Sequence, residues 1–215
     1  MSVFYAIAKF VTNLLIHILY KMRYEGVENI PEGGGYMVCS NHRTNMDPLF
    51  IAQKLKTQLF FMAKQELFQN KFVSLIIRGL GAFPVERGKG DSSAIDFAVD
   101  TLKSGRVLAM FPEGTRSKDG IPQRPKSGAA LVAMQTRADI LPVGISFDLP
   151  LRFRSVVTIK YGELIRFDSL GVQANVPREM KAVSKRIMGE IVELVELPKD
   201  NRPLLTDGNK TEDGQ

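Results

Sequence analysis

Short apolar, β-rich runs recur along this chain, and most are separated by a stretch with helical periodicity. The runs are YMVCS (36–40), LFFMA (59–63), AFPVE (82–86), VLAMF (107–111), ILPVGIS (140–146) and VVTIKYG (156–162). Helical patterns fall at 48–55, 71–82, 92–104 and 126–138. Pro177 opens a last amphipathic helix with Met180, Val183, Ile187, Ile191 and Leu194 on one face. Strands alternating with helices predict an α/β fold, a single domain with a central mostly parallel or mixed sheet flanked by helices. At 215 residues the chain is long enough for one sizeable core. No internal repeat is present.

In such folds the chemistry collects in loops at the carboxyl ends of the strands. The loop after 36–40 reads NHRTNMDP (41–48) and holds one of only two histidines in the chain. Asp47 follows His42 by five residues. It reads as the N-cap of the next helix, with Pro48 at the first helical position. A histidine backed by a carboxylate is a minimal general base, because the acid fixes the tautomer and stabilises the imidazolium. Asp47 can instead serve only the helix, leaving His42 an ordinary loop residue. A carboxylate has two oxygens, so the two roles do not compete.

Two more loops leave strands with charged groups. One brings Arg87 at the end of GAFPVER; the other, FPEGTRS (111–117), presents Glu113, Thr115 and Arg116. Lys64 follows LFFMA and adds a third cation. Guanidinium groups match phosphate geometry bidentately, so two arginines at strand exits point to an anion site. Glu113 can also be structural, pinning the loop through backbone amides or pairing with an arginine.

Residues 3–20, VFYAIAKFVTNLLIHILY, are mostly apolar, yet Lys9, Thr12, Asn13 and His17 recur at spacings of three and four. A spanning helix needs ~20 largely apolar residues, and a central lysine is costly there. A signal peptide lacks its basic leader and its cleavage site here. The pattern fits a helix lying in the membrane interface, apolar side down, with Lys21 and Arg23 drawn to anionic headgroups. A helix packed on the protein's own core and a transmembrane anchor are the two other readings. The net charge of +6 suits an anionic partner. No RNA-binding aromatic signature accompanies it, so a membrane surface is expected rather than nucleic acid. The lone Cys39 excludes an intrachain disulfide and a multi-cysteine zinc site. Its apolar setting reads as a buried thiol in a protein of the cytosol or facing it. No metal site is expected.

The reaction class narrows by what is missing. There is no GxSxG elbow, no GxxxxGK[ST] loop and no complete dinucleotide fingerprint. His17 lies in the amphipathic amino-terminal segment, so a histidine base has to be His42.

Taken together, these motifs resemble the glycerolipid acyltransferases. That family's HxxxxD motif, commonly NHxSxxDP, stands here as NHRTNMDP with Thr44 in place of serine. Its glycine-led segment ending in arginine is matched by 81–87, with Glu86 where aspartate is frequent. FPEGTRS (111–117) is unchanged, Leu141, Pro142 and Val143 fit the apolar-Pro-Val motif, and PKSGAA (125–130) is also similar. The matches keep family order over 41–145.

The resemblance implies transfer of a fatty acyl group from a thioester, on coenzyme A or acyl carrier protein, to the free hydroxyl of lysophosphatidic acid in phospholipid biosynthesis. His42 is expected to take the hydroxyl proton and Asp47 to orient the ring. Arg87 and Arg116, with Lys64, are expected to hold the acceptor's phosphate. Glu113, Gly114 and Thr115 of the same motif are expected to bind substrate, Gly114 and Thr115 placing either the acceptor or the oxyanion. No cofactor is implied beyond the thioester. The expected organisation is an interfacial helix over 1–24, a catalytic domain over 25–197 and a loose polar tail over 198–215. The location is peripheral, on the cytoplasmic face of the cell membrane. The alternatives are another lyso-acceptor, such as glycerol-3-phosphate or a lyso-amino-lipid, a non-catalytic membrane-binding protein, and a lipid esterase.

Overall fold

A computed structural model describes residues 2–85, 92–148, 150–172 and 176–196. Seven strands are described: β1 (Lys21–Glu25), β2 (Met37–Ser40), β3 (Leu59–Lys64), β4 (Ala82–Val85), β5 (Val107–Met110), β6 (Ile140–Ser146) and β7 (Val156–Tyr161). They form one sheet in the order β1-β7-β6-β2-β5-β3-β4. β2 to β6 are mutually parallel, β7 runs antiparallel to β6, and β1 lies parallel to β7, so the sheet is mixed. The helices are α1 (Val3–Leu19), α2 (Asp47–Ala52), α3 (Lys71–Gly79), α4 (Ser92–Lys103), α5 (Gly128–Thr136) and α6 (Pro177–Leu194).

The central strands β2, β5 and β6 are buried at every position because helices cover both faces. Their side chains alternate with period two. Met37, Cys39, Leu108 and Met110 face the α4–α5–α6 layer, whereas Val38, Val107 and Ala109 face the layer of α1 and α2. On α6, Ile187 and Ile191 are fully buried, each worth roughly 1.5–3 kcal/mol. The Cys39 thiol is fully buried, and desolvation holds its pKa far above the ordinary value.

Residues 21–25 depart from the sequence expectation. KMRYE reads as the cationic flank of the first helix, but it pairs with β7 from Lys21↔Val156 to Glu25↔Lys160. The helix stops at Leu19, so the sheet begins at 21, ahead of the expected boundary at 25. The strand has only five residues, with an exposed–half-buried alternation typical of an edge.

α1 crosses the face of the sheet that carries α2. Near its start the Phe4 ring lies against Gly79, and the Tyr5 hydroxyl accepts from the Leu59 N–H at 3.3 Å. Further along, Lys9 Nζ donates to the Leu55 carbonyl at 2.6 Å and Asn13 Nδ2 donates to Gln53 Oε1 at 2.9 Å. The polar stripe therefore points largely at the protein, and burial lowers the pKa of Lys9. Only Tyr5 and Ile16 of this helix are buried, while most of its apolar side chains are exposed. α1 therefore packs on the core through Tyr5 and Ile16 and along its polar stripe, while the rest of its apolar side faces outward. Among the described residues no helix is long and apolar enough to cross a membrane.

Candidate active site

β2 ends at Ser40, beside Val143 of β6, and the chain enters the 41–46 loop at the carboxyl edge of the parallel strands. Asn41 anchors that loop: its Nδ2 donates to the Ile145 carbonyl and its Oδ1 accepts from the Ile145 N–H. His42 follows, with its ring stacked on Phe111 at 4.0 Å between centroids.

Nδ1 of His42 lies 2.8 Å from Oδ2 of Asp47, and the carboxylate is fully buried. The same oxygen accepts from the Arg43 N–H at 2.6 Å and the Thr44 N–H at 2.9 Å; Oδ1 accepts from the Thr44 hydroxyl at 2.8 Å. So many donors require an acceptor, which places the proton on His42 Nδ1 and leaves the Nε2 lone pair free. Nε2 makes no hydrogen bond among the described residues. Thr44 preserves the hydroxyl that the serine of the NHxSxxDP pattern would offer.

The capping expectation for Asp47 is corrected here. Asp47 is the first residue of α2, not its cap, and both its oxygens turn back to 42–44. α2 starts instead on Met46 with Pro48 in its first turn. The carboxylate is consumed by the loop that carries His42.

Glu113 completes the backbone of the site. Oε1 accepts from the His42 N–H at 2.8 Å and Oε2 from the Gln123 N–H at 3.0 Å. Ser117 N–H returns a bond to the His42 carbonyl at 2.8 Å. Of the two roles open to Glu113 in the sequence, the geometry matches loop pinning. Burial pushes its pKa up to about 7, against the opposing pull of those two N–H donors.

Gly114, Thr115 and Arg116 stand exposed at the turn beyond Glu113. The Gly114 N–H is committed to the Phe111 carbonyl at 2.9 Å, so it has no bond left for a substrate. Thr115 and the Arg116 guanidinium make no hydrogen bond or ion pair among the described residues. Lys64 is exposed at the end of β3, which β5 separates from β2 on the same edge of the sheet. β4 also ends on that edge beside Lys64, but Arg87 lies outside the described residues.

Two cations in these loops escaped the sequence reading. A Cβ on Gly114, whose φ is +68°, would sit 2.9 Å from Lys126 Cδ and 3.1 Å from Nζ, so the Lys126 side chain lies across the turn. Only the PKSGAA pattern hinted at it. Arg43 stacks its guanidinium 4.0 Å from the Phe147 ring centroid, and burial lowers its pKa despite Asp47, Asp148, Asp119 and Glu113 nearby. Nothing in its local sequence separates Arg43 from a surface arginine.

Residues 21–146 match the family model described as Acyltransferase. The chain is 34% identical over 192 residues to the 1-acyl-sn-glycerol-3-phosphate acyltransferase of Streptococcus pneumoniae, across 86% of this chain and 70% of that protein. It is also 34% identical over 116 residues to the Bacillus subtilis protein of the same name, across 54% of this chain and 57% of that one. The crystal structure of the 1-acyl-sn-glycerophosphate (LPA) acyltransferase from Thermotoga maritima superimposes with a TM-score of 0.71 at 24% identity, covering 88% of this chain and 78% of that one, a likeness of fold.

Proposed function

The chain belongs to the acyltransferase family, and we propose that it acylates the free hydroxyl of 1-acyl-glycerol-3-phosphate from an acyl thioester, giving phosphatidic acid. His42 Nε2 takes the hydroxyl proton as the oxygen attacks the thioester carbonyl. The collapsing intermediate expels the thiolate, which collects that proton from the imidazolium. Asp47 holds the ring in the required tautomer and balances its transient charge. No acyl-enzyme is needed, so a single attack on the donor suffices. The donor is acyl-coenzyme A or acyl carrier protein, and the reaction uses no other cofactor.

The observation that carries this reading is the His42–Asp47 contact at 2.8 Å, with the carboxylate fully engaged and Nε2 free. Arg116 and Lys126, on and over the turn whose Glu113 binds the His42 N–H, with Lys64 and Arg87 from the β3 and β4 exits, hold the acceptor's phosphate. Thr115, with its hydrogen-bonding groups open, contacts the acceptor or the oxyanion. The enzyme sits peripherally on the cytoplasmic face of the membrane through α1. The test is mass spectrometry of lipid products after supplying lysophosphatidic acid with each donor in turn. Phosphatidic acid formed with one or both donors supports the reading; transfer only to glycerol-3-phosphate or a lyso-amino-lipid reassigns the acceptor.

A further inference from the structure

α3 is a helix with no buried residue, although five of its nine positions are large and apolar. Phe72 is 72% exposed and Leu75 65%, with Val73 and Ile76 exposed beside them. Scattered exposed apolar side chains are ordinary, but a short helix that leaves four of five large apolar side chains exposed and the fifth, Ile77, only half-buried is not. Phe72, Leu75, Ile76 and Gly79 share one side at spacings of three and four. The Phe4 ring of α1 reaches Gly79 at the end of that side. Phe10, itself 70% exposed, and the other outward residues of α1 extend the same apolar surface.

The charges agree with one occupant. Neither α1 nor α3 contains a carboxylate. Lys71, Ser74 and Arg78 line the other side of α3, and the Arg78 guanidinium is steadied by Ser74 Oγ at 3.2 Å and by the Phe68 ring. Lys21 and Arg23 are exposed just beyond α1. Apolar side chains flanked by cations fit a bilayer with anionic headgroups. Nine residues are far short of the ~20 needed to span.

We propose that α3 is a second membrane-docking element, whose apolar face continues that of α1 and seats the β3–β4 crossover on an anionic bilayer. This rests on the reading above that the acceptor is a lipid. It also carries a consequence for that reading: only a 3-10 turn, Gln65–Phe68, joins the β3 exit to α3, so docking α3 brings Lys64 toward the headgroups.

The chain has no tryptophan, so single substitutions make clean reporters. With vesicles of phosphatidylcholine and phosphatidylglycerol, Phe72→Trp is expected to shift its emission to the blue and to be quenched by brominated acyl chains. Lys185→Trp, exposed on α6 over the opposite face of the sheet, is expected to show neither. The double variant Phe72→Asp/Leu75→Asp is expected to lose about tenfold or more in vesicle partitioning. Its melting temperature and its turnover of a short-chain, monomeric lyso-acceptor should match the parent. Unchanged partitioning, an unshifted emission from the Phe72→Trp protein, or a change in oligomer size in place of vesicle binding would each overturn the proposal. The vesicle readouts need no turnover, so failure of the acyltransferase reading is seen separately, as absent product from the unmodified enzyme.

Discussion

The Asn41 side-chain amide pairs with one residue across the sheet edge through both its atoms, donating to the Ile145 carbonyl at 2.9 Å and accepting from the Ile145 N–H at 2.8 Å. It stands next to His42, which is thereby tied to β6 by the residue before it and to the 111–117 loop by Glu113. Asn41→Ala strands two buried backbone groups. The expected loss is about 2 kcal/mol or more, measured by urea unfolding, with a fall in turnover as His42 loses its footing. An unchanged unfolding midpoint would show that Ile145 finds other partners.

His42→Ala should lower turnover by ~10²- to 10⁴-fold, the usual worth of a positioned base. Asp47→Asn is the sharper test. An asparagine Nδ2 placed at Oδ1 can donate to the Thr44 hydroxyl, leaving one oxygen to accept from 42–44, so the loop should fold. What goes is the charge that steadies the imidazolium, and kcat should drop into the same range. Circular dichroism and steady-state kinetics together decide it, and near-parent kcat in both variants removes the dyad from the chemistry.

Glu113 makes stability depend on pH in a direction opposite to that of most carboxylates. Its folded pKa is raised to about 7 by burial, above the ordinary value of 4.5. The folded state therefore binds the proton more tightly, and this group favours folding most below the ordinary carboxylate range. That contribution declines as pH rises through the interval from 4.5 to about 7. Glu113→Gln removes the titration and flattens that slope. It also costs about 1–3 kcal/mol at low pH, because its NH₂ faces an N–H donor of His42 or Gln123. Denaturant midpoints at several pH values read both effects, and a parent-like slope in the variant would assign the titration elsewhere.

Arg116→Ala should raise KM for the lyso-acceptor roughly 10- to 100-fold with little change in kcat, since holding a phosphate is largely uniform binding. Arg116→Lys should recover part of the loss but not all, lacking the bidentate fork. A kcat effect without a KM effect would move Arg116 from acceptor binding to the chemical step.

Much of this architecture was legible because strand and helix periods differ so clearly in this chain. The runs at 36–40, 107–111 and 140–146 are continuous apolar stretches because helices cover both sides of them. The 21–25 strand was not legible: KMRYE carries three charges in five residues and follows an apolar helix without a glycine or proline between. Its strand identity comes from β7, which lies far away in sequence. In the site, the spacing of His42 and Asp47 suffices to foresee their contact. The upward shift of Glu113 and the reach of Lys126 over Gly114 arise from close packing of loops more than ten residues apart, which no local pattern encodes. Asp47 shows the same limit from the other side, since the local Asp-Pro signal reads as a cap while its neighbours in space claim both oxygens.

The inverted amphipathicity of α1 makes the first twenty residues a poor place to cut. Truncating them to obtain a better-behaved protein would leave the Leu59 N–H, the Leu55 carbonyl and the Gln53 amide without the partners that Tyr5, Lys9 and Asn13 provide. Lost vesicle binding in such a fragment would then reflect a damaged catalytic domain as much as a missing anchor. Outward single substitutions, at Phe10 or Leu14, separate the two, because they blunt lipid contact while leaving every strut on the inner side in place.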